Sequence, residues 1–527
     1  MSAQVDTRVL IVGAGPTGLT LAVTLRRYGV KVRLIDRAPT PATVSKALAV
    51  WSGSLEALAG LGVIDAFIAA GARLNSLVVG DGSRQLARLA VGEGIDSPYP
   101  YPLLLPQSRT EAILGARAAE LGADVERGVE LVGLTQDAEG VTATLRRADG
   151  TEEEVRALYL VGADGARSCV RQTLGIDFEG YTEPQVYLLG DVKITGGDLD
   201  HRSIYVWWHR GGTVALFPFE DAIWRIFAAR ANGEGDAPPT LEELQRQMDR
   251  HGPPGTCIHD PAWLSAFRTN ERLAARYRVG RVFIAGDAAH IHSPAGGQGM
   301  NTGIQDATNL GWKLAHVLRG RGEAELLLDS YEAERRPIAR DVIAGAAQKL
   351  HAAFSDNTMV RVLRDIAVTV LGNLTAVQKK LQVELSETEI AYRDGPLVAL
   401  GGPPRRTKRT DVGTRARDAG FMDPQCGQAR TLWPLLSGTR HTLLMFEDAG
   451  QPIRLNGIAS RVGEDFTLVR LGPDSDPGGK VRERYRLSAP GWVLVRPDQV
   501  VAARGGASDL TPLASYLDRV IGASATM

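Results

Sequence analysis

Glycines near the start of the chain have the spacing of a phosphate-binding turn. Gly13, Gly15 and Gly18 form Gly-x-Gly-x-x-Gly between the apolar segment RVLIV (8–12), which predicts a buried strand, and an apolar-periodic segment from about 17 to 28, which predicts a helix. Glycines there permit a tight turn and a close backbone approach to a pyrophosphate, and the helix N-terminus offers unpaired N–H groups. The pattern indicates dinucleotide binding, although a purely structural turn has the same spacing.

An acidic residue follows at the distance that such a site requires. The segment KVRLID (31–36) predicts a second strand, and Asp36 ends it 23 residues after Gly13. A carboxylate at this point suits the hydroxyl pair of a ribose and repels a 2′-phosphate. The site is therefore predicted to prefer FAD or NAD over NADP.

Further polar segments also follow predicted strands. The first is GADGARS (162–168), with Asp164 near its centre, and the second is GDAAH (286–290), which contains Asp287 and continues into GGQGMNTGIQDATNLGWKL (296–314). Each aspartate has a structural alternative, which is to cap a turn or the helix that follows.

Together with SYEAERRP (330–337), these segments resemble the class A flavoprotein monooxygenases, typified by para-hydroxybenzoate hydroxylase and phenol hydroxylase. They match in order and at family-like spacing over about residues 8–340. The resemblance implies FAD as cofactor, NADPH or NADH as a transient co-substrate, and O2. It implies hydroxylation of a phenolic or polycyclic, polyketide-type aromatic through a C4a-hydroperoxyflavin. The nicotinamide visits such enzymes without a domain of its own, and no second Gly-x-Gly-x-x-Gly follows a strand here.

The resemblance also implies which residues hold the cofactor. Asp287 is expected to bond the FAD ribityl chain, and Asp164 with Gly165 to serve both FAD and nicotinamide. Lys46 is expected over the pyrophosphate, and the carbonyl of Pro294 is expected to face the reaction site. The implied cofactor-binding positions are Gly13, Gly15, Gly18, Asp36, Arg37, Lys46, Gln107, Arg109, Asp164, Gly165, Asp287, Pro294, Gly297, Gly299, Met300 and Asn301.

A helix predicted to start near Asn301 has an electrostatic consequence. In the resemblance its N-terminus meets the N1/C2 edge of the flavin, which is anionic when reduced. A helix N-terminus stabilises an anion by roughly 0.3–1 kcal/mol, and by up to ~2 kcal/mol when partly buried. At about 1.36 kcal/mol per pKa unit, this amounts to at most about one and a half units.

Aromatic residues in predicted strands over 186–230 indicate the substrate side. The segment FPFEDAIWRIF (217–227) resembles the family's substrate-contacting strands, and apolar Phe217 and Phe219 in it disfavour a small benzoate. A larger, flatter, less acidic aromatic is favoured, unless these side chains are plain sheet core or the register slips by one residue. Tyr205 and Trp207 are further candidates. The main substrate candidates are Tyr101, Trp208, Phe217, Phe219, Arg225 and Phe227, and the catalytic candidates are Pro294, Arg225 and His209, the last as a base.

The predicted fold class is α/β. A Rossmann-like FAD-binding domain with long helices (1–72, 103–183 and 277–398) is interleaved with an antiparallel β-sheet substrate domain (73–102 and 184–276). A C-terminal thioredoxin-like α/β domain (399–527) follows. Cys426 is its lone cysteine, so thiol redox chemistry is excluded. Predicted helices cover 107–121, 301–319 and 325–390, a strand covers 281–287, and GGPPRRTKRT (401–410) is predicted to be a linker.

Composition excludes several other classes of protein. The 527 residues include 60 basic and 61 acidic side chains, so no bulk charge attracts nucleic acid or an anionic membrane. Three scattered cysteines form neither a disulfide framework nor a zinc site, and no metal is expected. There is no basic leader and no uninterrupted run of 18 apolar residues, which predicts a cytoplasmic protein. We expect a monomer or a homodimer.

Several functions stay open on the sequence alone. A Baeyer–Villiger insertion uses the same flavin, a catabolic phenol hydroxylase has the same motifs, and FAD could be structural in an isomerase or in a non-catalytic FAD- and aromatic-binding protein. A flavin halogenase is disfavoured because the Trp-x-Trp-x-x-Pro segment is missing. An excess of arginine over lysine indicates a high-GC bacterium, which favours polyketide antibiotic biosynthesis.

Overall fold

The structure is a computed structural model. It describes residues 6–92, 94–209, 212–219, 222–230, 235, 237–294, 296–354, 375–398, 411–423, 426–455, 458 and 466–522. The frame consists of a large mixed sheet, a second large sheet and a smaller C-terminal sheet, with helices packed between and around them.

The first sheet ends in the glycine-rich turn. Its central strand is apolar and β-branched, and Val9, Leu10 and Ile11 are fully buried, as expected in a parallel sheet. In spatial order its main path is Arg278–Val279, Val282–Ile284, Glu152–Gly162, Thr7–Val12, Val32–Asp36 and Val125–Arg127, and an antiparallel meander of Val129–Gln136 and Val141–Arg147 continues from Glu152–Gly162.

The second sheet is antiparallel apart from one parallel pair, and it is built from segments that interrupt the first. In spatial order its strands are His290–Ile291, Cys257–Ala274, Phe178–Thr195, Ile223–Ala229, Gly212–Pro218, Ser203–His209, Ser76–Asp81 and Arg84–Ala90, and the parallel pair is Ser203–His209 with Ser76–Asp81. A short sheet of Ala49–Val50, Leu103–Leu104 and Ala72–Arg73 lies at the junction.

The α-helices of the described residues are numbered here in chain order. They are α1 (Pro16–Arg27), α2 (Ser52–Leu61), α3 (Ile64–Ala70), α4 (Gln107–Glu120), α5 (Cys169–Thr173), α6 (Leu241–His251), α7 (Gly299–Leu318), α8 (Ala324–Phe354), α9 (Thr375–Ser386), α10 (Trp433–Leu436), α11 (Lys480–Arg484) and α12 (Thr511–Tyr516). A 3₁₀ turn covers Gly286–Ala288 and a π-helical turn covers Leu517–Ile521.

The C-terminal sheet has the strand order expected of a thioredoxin-like module. Its strands are Phe466–Leu471, His441–Phe446, Gly491–Val495 and Val501–Gly506; the first two are parallel, and each remaining neighbour is antiparallel. A small ladder of Gly420–Met422 and Ala429–Thr431 accompanies it. All the cysteines of the chain, Cys169, Cys257 and Cys426, are described and are free thiols.

The α/β fold class with an interleaved sheet is confirmed, whereas some element limits are corrected. The strand predicted over 281–287 covers only Val282–Ile284, because Gly286 has a φ of +61° and begins a 3₁₀ turn. The helical pattern of 325–390 appears as α8 and α9, and it ends at Ser386 because Glu387 has a φ of +59°. The predicted linker 401–410 lies outside the described residues. The domain limits given above stay a prediction.

No helix within the described ranges combines the length and apolar character needed to cross a membrane. In the same part of the chain, no cluster of histidine, cysteine and carboxylate side chains has the arrangement of a metal site.

Candidate active site

The glycine turn is closely packed at Gly13 and has open space beside Gly15. Gly13 has a φ of +104°, and a Cβ there would lie 2.3 Å from the carbonyl oxygen of Ala163. Gly15, the N-cap of α1, has nothing within 4 Å of such a Cβ, and no side chain caps the helix. The N-terminus of α1 is therefore uncapped by any side chain and has open space beside Gly15, as a pyrophosphate site requires.

Asp36 braces this turn. Its Oδ2 accepts a hydrogen bond of 2.7 Å from the backbone N–H of Ala14, and its Oδ1 accepts one of 2.8 Å from Ala38. A carboxylate has about four acceptor positions, so these bonds leave capacity for a ribose hydroxyl.

One carboxylate oxygen of Asp164 caps a helix, which is the structural alternative considered above, and the other has no hydrogen-bond partner. Its Oδ2 accepts from the backbone N–H groups of Cys169 at 2.7 Å and Val170 at 3.2 Å, which caps α5. Its Oδ1 is buried without a hydrogen-bond partner. Burial raises the pKa of this carboxyl, against the hydrogen bonds from Ser168 and the backbone. A buried acceptor without a partner is costly, which marks Oδ1 as a position for a ligand donor.

Asp287 lies in a neighbouring polar loop. Arg171 joins the two loops, because its Nη1 donates to the carbonyl of Ala288 at 2.9 Å and its Nη2 to that of Ala166 at 2.9 Å. The Asp287 side chain is exposed, but the surrounding protein displaces enough solvent to raise its pKa, against the charges of His290 and Lys46. An exposed carboxylate is available to a ligand hydroxyl.

The N-terminus of α7 is held in place by an asparagine. The helix begins at Gly299, two residues before the predicted start. The Asn301 side chain is fully buried; its Oδ1 accepts from the Trp51 N–H at 2.8 Å, and its Nδ2 donates to the carbonyls of Ala49 and Gly297 at 2.9 and 2.8 Å. Asn301 was predicted to bind cofactor, but these bonds use both amide hydrogens, so its side chain positions the loop.

The carbonyl of Pro294 was predicted to face the reaction site. It accepts a hydrogen bond of 2.9 Å from the N–H of Gly297, so it also closes a turn of the loop. The carbonyl of Gly296 accepts from the Trp51 indole at 2.8 Å. Sequence reasoning missed Trp51, which ties this loop to residues 45–51.

The remaining predicted cofactor positions are mostly exposed. Arg37, Lys46 and Arg109 are exposed, and Met300 is half-buried against the main core. Gln107 starts α4, where its Oε1 accepts from the N–H of Ala47 at 3.2 Å. These positions stay predictions, with Gln107 fixing the backbone beside Lys46.

An aromatic face of the second sheet opposes these loops. Phe227 stacks on Tyr187 with ring centroids 5.0 Å apart, and Phe267 packs beside both. Phe217 belongs to this face and also reaches a cluster with Leu48. The predicted register of Phe217 and Phe227 agrees with this arrangement. Tyr205 and Trp207, in contrast, lie in the core on the α6 side.

Arg225 lies on this face, but it is paired within the protein. Its guanidinium is buried and makes a two-pronged ion pair with Asp191, with both distances 2.8 Å. It also donates to the carbonyls of Ser45 at 2.5 Å and Lys46 at 2.9 Å. Arg225 therefore joins residues 45–46 to the sheet with its charge balanced by Asp191, and its roles in catalysis and substrate contact stay predictions.

Trp208 lies at the far end of this face, and His209, two residues after Trp207, points to the α6 side of the sheet. His209 pairs with Gly212, five residues along the strand from Phe217, a distance of about 17 Å at ~3.3 Å per residue. Its Nδ1 lies 2.9 Å from Asp81 at the surface. Strand direction places His209 away from the loops, and its role as a catalytic base stays a prediction. Trp208 is buried beside it.

Tyr101 is half-buried, with the Arg73 guanidinium 4.4 Å from its ring centroid. It packs against the main core at the end of the loop 91–101. Its role in substrate contact stays a prediction.

A buried ion network behind the loops was missed from the sequence. Asp306 of α7 accepts from the N–H of Gly286 at 3.2 Å, lies 2.7 Å from the His290 Nε2, and pairs with Arg335 of α8 at 2.7 Å. Burial acts to raise the pKa of Asp306, but Arg335 and His290 hold it below its usual range. Arg335 belongs to the segment SYEAERRP, so this motif supports the loop that carries Asp287.

The residues present fit FAD. An uncapped helix N-terminus beside the open Gly15 suits the pyrophosphate, the orphaned Asp164 oxygen and the exposed Asp287 suit hydroxyl donors, and the α7 N-terminus suits a flavin edge. Fold and site together define a flavoprotein of the Rossmann-like class.

Comparison with known proteins gives the family. The model of the family described as "FAD binding domain" matches residues 6–346, and the chain belongs to this family. The chain is 38% identical to 6-methylpretetramide 4-monooxygenase of Streptomyces rimosus, over 97% of this chain and 93% of that protein.

Solved structures agree along nearly the whole chain. Anhydrotetracycline hydroxylase from Streptomyces rimosus superposes with a TM-score of 0.78 at 32% identity, covering 98% of this chain and 100% of that one. Aklavinone-11 hydroxylase, solved with FAD and aklavinone, gives 0.82 at 26% identity, covering 99% and 100%. The protein is thus an FAD-dependent aromatic monooxygenase, with NAD(P)H as reductant.

Proposed function

We propose that this monooxygenase hydroxylates a polycyclic phenol of the aromatic polyketide type. The observation that carries the proposal is the sheet face of Tyr187, Phe217 and Phe227, in which the charge of Arg225 is balanced by Asp191. A small benzoate needs a cation to offset the cost of removing its carboxylate from water. A flat, weakly acidic aromatic instead gains from stacking on this face.

The relatives support the same substrate class. The proteins compared above are named for 6-methylpretetramide, anhydrotetracycline and aklavinone. The match extends over almost the entire chain, including the sheet that we assign to the substrate.

Bound FAD supplies the chemistry, which is to accept a hydride from NAD(P)H and to activate O2. The chain supplies position and environment. Gly15 and the α1 N-terminus hold phosphate, Asp164 and Asp287 accept hydroxyl hydrogens, and the α7 N-terminus stabilises negative charge at the flavin edge. The aromatic face orients the substrate ring and excludes water.

We further propose a cytoplasmic protein that acts as a monomer or homodimer. Its domains follow the limits expected from the sequence, with Lys46, Gln107 and Arg109 along the FAD.

The test is oxidation of NADPH, and then NADH, by the purified yellow protein with single added compounds. The compounds are anhydrotetracycline, aklavinone, phenol and 4-hydroxybenzoate, and peroxide is followed in parallel. The polycyclic compounds are expected to accelerate oxidation with little peroxide, because bound substrate takes the oxygen. Preference for phenol or 4-hydroxybenzoate, or no acceleration by any compound, would contradict the proposal.

Structural analysis of the product separates the closest alternative. Hydroxylation and Baeyer–Villiger insertion both add one oxygen atom, so mass alone does not distinguish them. Carbon NMR does, because insertion converts a ketone carbon into an ester carbon. An aromatic C–OH is the expected product.

A further inference from the structure

Arginines of the C-terminal region converge on a loop of the substrate-side sheet. The loop covers residues 91–101, and Asp96 lies at its centre. Arg417 donates to Asp96 Oδ2 at 3.1 Å, Arg484 donates to Asp96 Oδ1, and Arg415 donates to the Asp96 carbonyl. We name Asp96, Arg415, Arg417 and Arg484 the Asp96 cluster.

The cluster is anchored to the FAD-binding part of the chain. Glu56 of α2 is buried, and its Oε1 accepts from Ser97 Oγ at 2.6 Å and from Arg415 Nη1 at 2.6 Å. Arg417 also donates to Glu389 at 2.9 Å. Carboxylates and arginines from separate stretches of the chain therefore balance one another around the loop.

The first residue of the loop reaches the substrate side. Val91 packs in the cluster that contains Leu48, Phe217 and Phe219. Tyr101, at the other end, packs against the main core. A displacement of the loop would therefore change the wall beside the aromatic face.

Over its described residues, 91–92 and 94–101, the loop contains no helix or strand. Its internal backbone hydrogen bonds are short-range turns, such as Ile95 N–H to Gly92 at 3.3 Å and Ser97 N–H to Ile95 at 3.1 Å. Arg417 is nearly fully buried, so its bond to Asp96 is shielded from solvent, whereas Arg484 is partly exposed. Shielded charged hydrogen bonds outweigh turns of this kind in fixing a conformation.

We propose that the C-terminal module is a positioning element that holds the loop 91–101 through Asp96, and that it thereby tightens binding of the aromatic substrate. The part concerning substrate rests on the proposed function. Asp96 and Arg484 act through the loop and are positioning residues. The module needs no thiol chemistry for this role.

The first test is hydrogen exchange of the FAD-loaded full-length protein. The variants are Asp96→Asn and Arg484→Ala, and the control is Arg519→Ala, which removes an exposed pair between the C-terminal region and Glu323 of the chain ahead of α8. Both cluster variants should exchange about tenfold faster over residues 91–101, as loss of a charged hydrogen bond implies, and the control should not. Unchanged exchange in both cluster variants would overturn the proposal.

The second test is steady-state kinetics with anhydrotetracycline. KM is expected to rise about tenfold while kcat stays within about twofold, the pattern of lost binding rather than lost chemistry. The double variant should be no worse than Asp96→Asn alone, and Arg484→Lys should recover most of the affinity. A fall in kcat at unchanged KM, or additive effects in the double variant, would overturn it.

The two proposals fail in different ways. If no aromatic stimulates NAD(P)H oxidation by the unaltered protein, the proposed function fails, while exchange over residues 91–101 still decides whether the module holds the loop. If oxidation is normal and exchange is insensitive to both cluster variants, the positioning role alone is wrong.

Discussion

Arg225 and Asp191 place a balanced pair of charges beside an otherwise aromatic face. Each is nearly buried, and the two-pronged geometry satisfies the carboxylate while the carbonyls of residues 45–46 take further guanidinium hydrogens. The pair thus joins the substrate sheet to the loop that carries Lys46.

Removal of one partner should be costly. Asp191→Asn leaves the Arg225 charge buried without its counterion, and breaking such a pair costs about 3–5 kcal/mol. Chemical denaturation measures the loss, and Asp81→Asn, at the exposed pair with His209, is the matched control with an expected change within ~1 kcal/mol. An equal loss of unfolding free energy in the two variants would contradict a larger contribution from the buried Arg225–Asp191 pair.

His209 offers a second test at the residue scale. Because the strand places it far from the loops, His209→Ala should leave kcat and its pH profile unchanged. Both are measured with the compound that most accelerates NAD(P)H oxidation by the unaltered protein. Loss of a step from the pH profile of kcat would instead support this residue as the base.

At the scale of elements, helix α7 has an acid beside its first turns. Glu387 accepts hydrogen bonds from Thr302 at 3.5 Å and from Gln305 at 2.5 Å. Burial raises its pKa to about 8, against Arg335 and Thr302, which lower it. At neutral pH the carboxyl is therefore mostly protonated and leaves the positive end of the helix uncompensated.

This predicts a specific pH dependence of stability. The folded protein binds the Glu387 proton more tightly than the unfolded chain, so its contribution falls as pH rises from about 4.5 to about 8. Glu387→Gln cannot titrate, so the variant should match the unaltered protein near pH 4.5 and exceed it in Tm near pH 9. A Tm difference that does not change with pH would contradict the assignment.

The elements also show what sequence can predict. The glycine turn, Asp36 and the interleaved sheets follow from local patterns, because spacing and apolar periodicity are properties of short segments. The partners of Arg225 and Asn301 cannot be predicted in this way. Asp191 and Trp51 are distant in sequence, and no local pattern encodes the pairing. The place of His209 relative to the cofactor loops could not be predicted either, because alternation gives the face of a strand but not which end meets those loops.

At the scale of the whole molecule, buried ions join the C-terminal region to the helices behind the site. Glu334 of α8 pairs with Lys313 of α7 at 2.7 Å and with Arg496 at 2.7 Å. Burial acts to raise the pKa of Glu334, but Arg496 and Lys313 hold it at about 2. This contribution to stability is present above about pH 4.5 and is lost as pH falls toward 2.

Glu334→Gln should therefore lower the free energy of unfolding at neutral pH. The expected loss is about 3–5 kcal/mol at pH 7, because buried Lys313 loses its counterion and Arg496 keeps only Asp498. The loss should shrink as pH falls below about 4.5. Denaturation at pH 7 and pH 3 measures both, with Glu323→Gln at the exposed pair with Arg519 as a control of little effect. A loss of equal size at both pH values would contradict the depressed pKa.

The most direct test of monooxygenation measures whether an oxygen atom from O2 enters the product. The FAD-loaded protein is supplied with NADPH or NADH, anhydrotetracycline and isotopically labelled O2, and the product is examined by mass spectrometry. We expect one labelled oxygen atom in the aromatic product for each NAD(P)H consumed. A product without label, or a product formed without consumption of NAD(P)H, would contradict monooxygenation at this site.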